Sequence, residues 1–293
     1  MRKLLGLALV TGQLAIGCTF INPSLSSQTP AESQSATMAE LHQDDTPVPS
    51  PVAQDVAPDA VTTEEITYGT DGETPFTGYL AQPTDRSSPL PGLIVIQEWW
   101  GLNDNIRTMT RRLAAEGYTA LAVDLYDGQV ADNPDDARTL VQAAIQNSER
   151  LTQTVVAAYS YLADERQAPT VGSIGWCFGG TWSLNTALAL PTDLDAAVIY
   201  YGGQISTDPA ILAPLEMPIQ GHFGSLDTSP SPSTVQAFES ALDDLGKDTE
   251  IYLYEGANHA FANPSGTRYN AEAATLAWQR TTAFLKQHLQ CNG

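Results

Sequence analysis

Beyond residue 62 the chain alternates between short continuous apolar runs and longer stretches whose apolar residues recur every three or four positions. Glu65-Ile-Thr-Tyr68 and Phe76-Thr-Gly-Tyr-Leu80 predict two strands around a Thr-Asp-Gly turn. Gly92–Gln97, Tyr118–Leu125, Ala196–Tyr201 and Met217–Phe223 are apolar runs of strand length, as expected for strands covered on both faces. Glu250–Tyr254 is the last predicted strand. Helical spacing relates Ile106, Met109 and Leu113 after a capping Asp104. The same spacing relates Ala137, Leu140, Val141, Ala144 and Ile145, then Leu151, Val155, Tyr159 and Leu162. Thr234–Leu245 and Asn270–Leu289 complete the helices, the last with Trp278, Leu285 and Leu289 on one side. No internal repeat is visible. Strands alternating with helices predict an α/β fold, a mostly parallel sheet with helices on both faces and right-handed crossovers.

The pattern is absent from the first 62 residues. Arg2 and Lys3 precede a mostly apolar run, Leu4–Ile16, that is too short to span a bilayer. Residues 1–17 therefore read as a signal peptide. Ala15-Ile-Gly-Cys18 resembles a lipoprotein cleavage box, which makes Cys18 the lipidation site. Residues 18–62 are rich in Pro, Ser, Thr, Gln, Ala and Asp and lack the apolar surface needed to fold, so they read as a disordered linker. Residues 63–293 form the domain. The expected location is the periplasm, as a membrane-anchored lipoprotein or free, with secretion as the alternative.

Composition narrows the function. The net charge of −21, from 34 acidic and 13 basic residues, excludes nucleic acid as a partner and disfavours anionic headgroups. Three cysteines, Cys18, Cys177 and Cys291, make no disulfide framework. No Cys-x-x-Cys or paired-histidine spacing points to a metal, so neither metal nor cofactor is expected. The expected state is a monomer acting on a small molecule.

The chemistry centres on Val171-Gly-Ser-Ile-Gly-Trp-Cys-Phe-Gly-Gly180. A run of β-formers stops at Gly175, Cys177 follows, and a helical pattern begins at Gly179. This is the nucleophile elbow G-x-S-x-G with cysteine in place of serine. The alternative is a buried structural cysteine in a glycine-rich turn. A thiol nucleophile needs a base, and the base an orienting acid; on this fold they follow in the order nucleophile, acid, histidine. Asp227 and His259 each lie just past a predicted strand, in that order. His42 falls in the linker, His222 inside a strand and His288 at the chain end, which favours His259 by elimination as well as by place. Asp227 also fits an Asx turn before Ser229-Pro230. Glu98 ends an apolar strand beside Trp99 and Trp100, where poor solvation favours its protonated form and equips it to take a proton from the thiol.

Ile96-Gln-Glu-Trp-Trp-Gly101, Val123-Asp-Leu-Tyr126, Gly175-Trp-Cys-Phe-Gly-Gly180 and His259-Ala-Phe261 together resemble the dienelactone hydrolase (carboxymethylenebutenolidase) family, over about residues 63–290. The resemblance implies an α/β-hydrolase with a Cys-His-Asp triad, a glutamate near the thiol at Glu98, and an oxyanion hole from the N–H groups of Trp99 and Phe178. The fold predicts the same hole, one N–H following the nucleophile and one from the loop after the early strand. Two arginines that the resemblance implies for binding a substrate carboxylate are replaced by Gly128 and Asn263. Arg107 and Arg268 are the candidates to replace them in space. The expected substrate is a more neutral ester or lactone, received in an apolar pocket of Trp99, Trp100, Trp176 and Phe178. The rival from another class is a catalytically degenerate binding protein of the cell envelope. A redox role lacks a nearby resolving cysteine.

Overall fold

A computed structural model describes residues 40, 42, 43, 56, 57, 59–85 and 88–290. The signal segment, Cys18, Cys291 and most of the stretch 18–62 lie outside the described residues. An antiparallel pair opens the domain, β1 (Val61–Thr70) and β2 (Pro75–Pro83). The turn between them is closed by Asp71, whose carboxylate accepts from the N–H groups of Glu73 and Thr74. Then follow β3 (Gly92–Ile96), α1 (Asp104–Ala115), β4 (Thr119–Val123), α2 (Pro134–Gln146), α3 (Ser148–Ser160) and β5 (Val171–Trp176). The second half contains α4 (Phe178–Ala189), β6 (Ala196–Tyr200), a single turn α5 (Pro209–Leu212), β7 (Ile219–Gly224), α6 (Pro232–Asp244), β8 (Thr249–Tyr254) and α7 (Ala271–Leu285).

The eight strands form one sheet in the order β1-β2-β4-β3-β5-β6-β7-β8. β2 pairs antiparallel with β4, and every pairing from β4 through β8 is parallel. The four strands β3 to β6 and β7 are buried at every position, which is why their sequences are continuous apolar runs rather than alternating ones. β1 and β8 are the edge strands, and Leu253 of β8 is exposed. The chain moves outward from β3 to β4 and then returns across β3 to β5. That reversal opens a crevice at the carboxyl ends of β3 and β5, the place where such sheets bind ligands.

The predicted elements are present, with small differences. β1 starts at Val61, two residues before the expected domain boundary, and Val56 packs against the core. The cap of α1 is Asn103 rather than Asp104: its side chain accepts from the N–H of Ile106 at 3.2 Å, and Asp104 occupies the first turn, where a negative charge suits the helix dipole. α5 was not anticipated because four residues are too few to show a period. Among the described residues no helix is long and apolar enough to cross a membrane.

Asn103 closes the loop that carries Glu98, Trp99 and Trp100, so its cap matters to the site as well as to α1. Asn103→Ala is expected to cost ~1 kcal/mol of stability, read as a lowered denaturant midpoint, while Asn103→Asp keeps the acceptor and most of the midpoint.

Candidate active site

β5 runs straight into a turn at Cys177, whose φ of 56° and ψ of −116° lie in a region that L-residues avoid. Strain of this kind costs ~1–3 kcal/mol and persists only where the surroundings enforce it. Here the N–H of Cys177 donates to the carbonyl of Tyr200 at 3.0 Å, and its own carbonyl accepts from Thr181 at 3.2 Å. The glycines around it permit the approach of α4. A Cβ on Gly179 would stand 2.3 Å from the carbonyl oxygen of Ile96, and one on Gly175 would stand 2.1 Å from that of Gly179. Phe178 is the first residue of α4, so its N–H has no acceptor within the helix.

Four loops at the carboxyl edge converge on this turn. Glu98 follows β3, Cys177 follows β5, Asp227 follows β7 and His259 follows β8. The side chains bond in series. Asp227 Oδ2 lies 2.8 Å from His259 Nδ1, and His259 Nε2 lies 3.3 Å from Cys177 Sγ. The other oxygen of Asp227 accepts from the N–H of Ser229 at 2.8 Å, so the carboxylate makes both the Asx-turn contact and the histidine contact. Cys177, Asp227, His259 and Glu98 are each exposed by 2% or less, so water screens none of these contacts.

Burial alone would push the Cys177 thiol up, but interactions with His259 and His42, the charge of His259 foremost, outweigh it and bring it down to about 6. Burial would push His259 down; Asp227 and Cys177 outweigh it and raise the imidazole to about 10. The thiol is lowered and the imidazole raised, the two directions that favour transfer of the thiol proton to His259 as a thiolate–imidazolium pair. Glu98 is pushed up to about 8, first by burial and then by the neighbouring Cys177 charge. The amides of Asn263, at 2.8 Å, and Asn105, at 3.3 Å, donate to its Oε2 and offset only part of this. Glu98 thus holds its proton at neutral pH, as its sequence context predicts. Hydrogen-bond partners of the thiol include His259 Nε2 at 3.3 Å and His42 Nε2 at 3.6 Å.

The structure also brings in a residue that sequence position set aside. His42 is buried; its ring lies over Trp99 at 4.7 Å between centroids, and its Nε2 lies 3.6 Å from Cys177 Sγ. Its Nδ1 accepts from Arg268 Nη2 at 2.9 Å. Arg268, and not Arg107, is therefore the arginine that reaches the site; Arg107 pairs with Glu65 on the outer strand. A lone histidine in a Pro- and Ser-rich stretch gives no periodic signal, and only its rarity, as one of four in the chain, could have marked it. Asn105 and Asn263, the partners of Glu98, were likewise not expected. Trp99 and Trp100 pack on each other at 4.8 Å, and Phe178 packs on Tyr126 at 5.9 Å. Trp176 departs from the expected pocket: it packs on Tyr200 and helps to wall a separate cleft with Met109, Tyr269 and Trp278. His222 is a packed residue as expected, held by Tyr254, Gln220 and Thr281 and pushed down to about 3 by burial.

His42, Cys177 and His259 place three donor atoms within 4.8 Å of one another, a spacing compatible with zinc. The fit is poor, because a guanidinium can only donate. Arg268 therefore takes the lone pair of His42 Nδ1 and leaves the proton on Nε2, the atom that would have to bind the ion.

A cysteine on a strained strand-to-helix turn, backed by His and Asp on the carboxyl edge of a mostly parallel sheet, defines an α/β-hydrolase. The chain belongs to the dienelactone hydrolase family, whose sequence pattern matches residues 76–289. It is 34% identical to the protein usf of Aquifex pyrophilus over 220 residues, covering 72% of this chain and 93% of that one. It is 32% identical over 261 residues to a Saccharolobus solfataricus protein provisionally named carboxymethylenebutenolidase, covering 76% and 98%. Among solved structures, one from Klebsiella pneumoniae, provisionally titled a dienelactone hydrolase, superimposes with a TM-score of 0.70 at 30% identity, covering 78% of this chain and 99% of that one.

The depressed thiol is directly testable. Iodoacetamide alkylation of Cys177 is expected to rise with pH through an inflection near 6, well below the ~8.5 of an ordinary cysteine, and an inflection above 8 would contradict the ion pair.

Proposed function

We propose that this protein is a cofactor-free hydrolase of carboxylic esters or lactones, with Cys177 as nucleophile, His259 as proton carrier and Asp227 as its orienting acid. The observation that carries the reading is the unbroken series of hydrogen bonds from Asp227 through His259 to Cys177. That series disfavours a degenerate binding protein, which would have no need to keep a buried thiolate.

The Cys177 thiolate attacks the carbonyl carbon, and the carbonyl electron pair moves onto oxygen. The N–H groups of Trp99 and Phe178 stabilise that oxyanion. The intermediate collapses, the C–O bond breaks, and the imidazolium of His259 gives its proton to the departing alkoxide. Water then attacks the thioester while His259 removes its proton; collapse expels the sulfur as thiolate and restores the ion pair. Glu98, kept neutral, spares the thiolate a second negative charge in the same dry space.

Gly128 and Asn263 support a substrate without a carboxylate near the reacting carbon. An arginine at either position would supply charge-assisted hydrogen bonds to an anion. Asn263 instead engages Glu98 with a neutral amide. The packed faces of Trp99, Trp100 and Phe178 suit an apolar or aromatic acyl group. We further propose export, with Cys18 lipidated after removal of residues 1–17 and residues 18–62 as the tether; the charged and apolar pattern of the first 17 residues and the box ending at Cys18 support this.

Wild type should turn over p-nitrophenyl acetate or small lactones. Cys177→Ala should abolish this, and Asp227→Asn should lower kcat by ~10²–10⁴-fold; equal rates for wild type and Cys177→Ala would end the hydrolase reading. Radiolabelled palmitate should enter the wild-type protein and not Cys18→Ala, and its absence from both would remove the anchor.

A further inference from the structure

The chemistry derived so far uses one imidazole, and the structure holds two against the sulfur. His42 comes from the segment ahead of β1, yet it is 2% exposed and in contact with the nucleophile. Its ring lies over Trp99 on one side and meets His259 edge-on at 5.3 Å, with the planes at 81°. The contacts that hold the ring include the indole face, the His259 edge and Arg268 Nη2 on Nδ1.

The donor rules decide what this ring does. Every guanidinium nitrogen donates and none accepts. Nδ1 of His42 must then present its lone pair to Arg268, and the neutral imidazole carries its proton on Nε2. A proton on Nδ1 would point at a group that can itself only donate. Nε2 is the atom 3.6 Å from Sγ. The contact is an N–H donating to sulfur.

We propose that His42 is a second hydrogen-bond donor to the Cys177 thiolate, held in its Nε2–H tautomer by Arg268, so that the segment ahead of the domain completes the active site. This rests on the reading of Cys177 as the nucleophile.

The two imidazoles divide the work. His259 is backed by a carboxylate, so it can hold a positive charge and both give and take a proton. His42 is backed by a cation, so it can do neither; it offers one N–H throughout. That N–H stabilises sulfur in the two states in which sulfur is anionic, the resting thiolate and the thiolate expelled when the thioester is cleaved. Its proton stays on Nε2 in both. Burial raises the thiol, and the contributions of His42 add to those of His259 in lowering it. Glu98, Tyr126 and Tyr201 also lie in the field of this thiol, and burial raises each of them toward its neutral form.

The test uses the full chain and variants of His42, with His259, Asp227 and Arg268 left intact. His42→Ala is expected to raise the alkylation inflection of Cys177 by about one pH unit and to lower kcat/KM on p-nitrophenyl acetate about tenfold, the worth of one hydrogen bond to a charged acceptor. His42→Gln retains an N–H donor and should recover part of both. In wild type, ¹⁵N spectra of labelled histidine should show His42 neutral, with the proton on Nε2. An unmoved inflection in His42→Ala overturns the proposal, as does a proton found on Nδ1. A rise in kcat/KM also overturns it, since the segment would then be a plug over the thiol. The alkylation reading does not require turnover, so it stands apart from failure of the hydrolase reading, which Cys177→Ala decides.

Discussion

Charge in a dry interior governs this site. Cys177, His259, Asp227 and Glu98 meet where almost no surface is exposed, and an isolated ion there would be heavily penalised. Every charge must therefore have a partner within hydrogen-bond reach, and every group without one must be neutral. Asp227 has the His259 ring on one oxygen and the Ser229 N–H on the other. His259 is protonated because it stands between Asp227 and the sulfur. Glu98 faces two amides, neither of which carries charge, and so it keeps its proton.

The fold imposes this constraint through close backbone approach. α4 can start one residue after Cys177 only because Gly175 and Gly179 let its first turn lie against the ends of β3 and β5. That approach places Cys177 in its strained conformation and sets the start of α4 beside the loop of Trp99. The reversal of strand order at β3 leaves the space above them open to the loops of β7 and β8. Sheet order, glycine placement and the thiol's proton affinity are one connected matter.

Much of this was legible in the sequence, for identifiable reasons. Buried parallel strands announce themselves as continuous apolar runs, and β3 to β7 fall where those runs lie. Cys177, Asp227 and His259 were legible because each sits just past such a run, and the fold admits only one chain order for them. The cap of α1 shifted by one residue because Asn103 and Asp104 are both good caps and only the geometry of the Ile106 N–H chooses between them. Glu98's environment was readable from its apolar neighbours, but its role was not, since that depends on Asn105 and Asn263, which are remote in sequence and polar in an ordinary way. Trp176 was misplaced because closeness to the nucleophile in sequence does not show that its ring packs on Tyr200 and walls a separate cleft. His42 was hidden most deeply: one residue contributes no periodicity, and composition describes its neighbours rather than itself.

The seat of His42 against Trp99 has a mechanical consequence. His42 stands 19 positions ahead of Val61, so the chain meets the nucleophile before it enters the sheet at β1. A pull on the chain ahead of His42 is therefore borne by its contacts with Trp99, Arg268 and Cys177 rather than by β1.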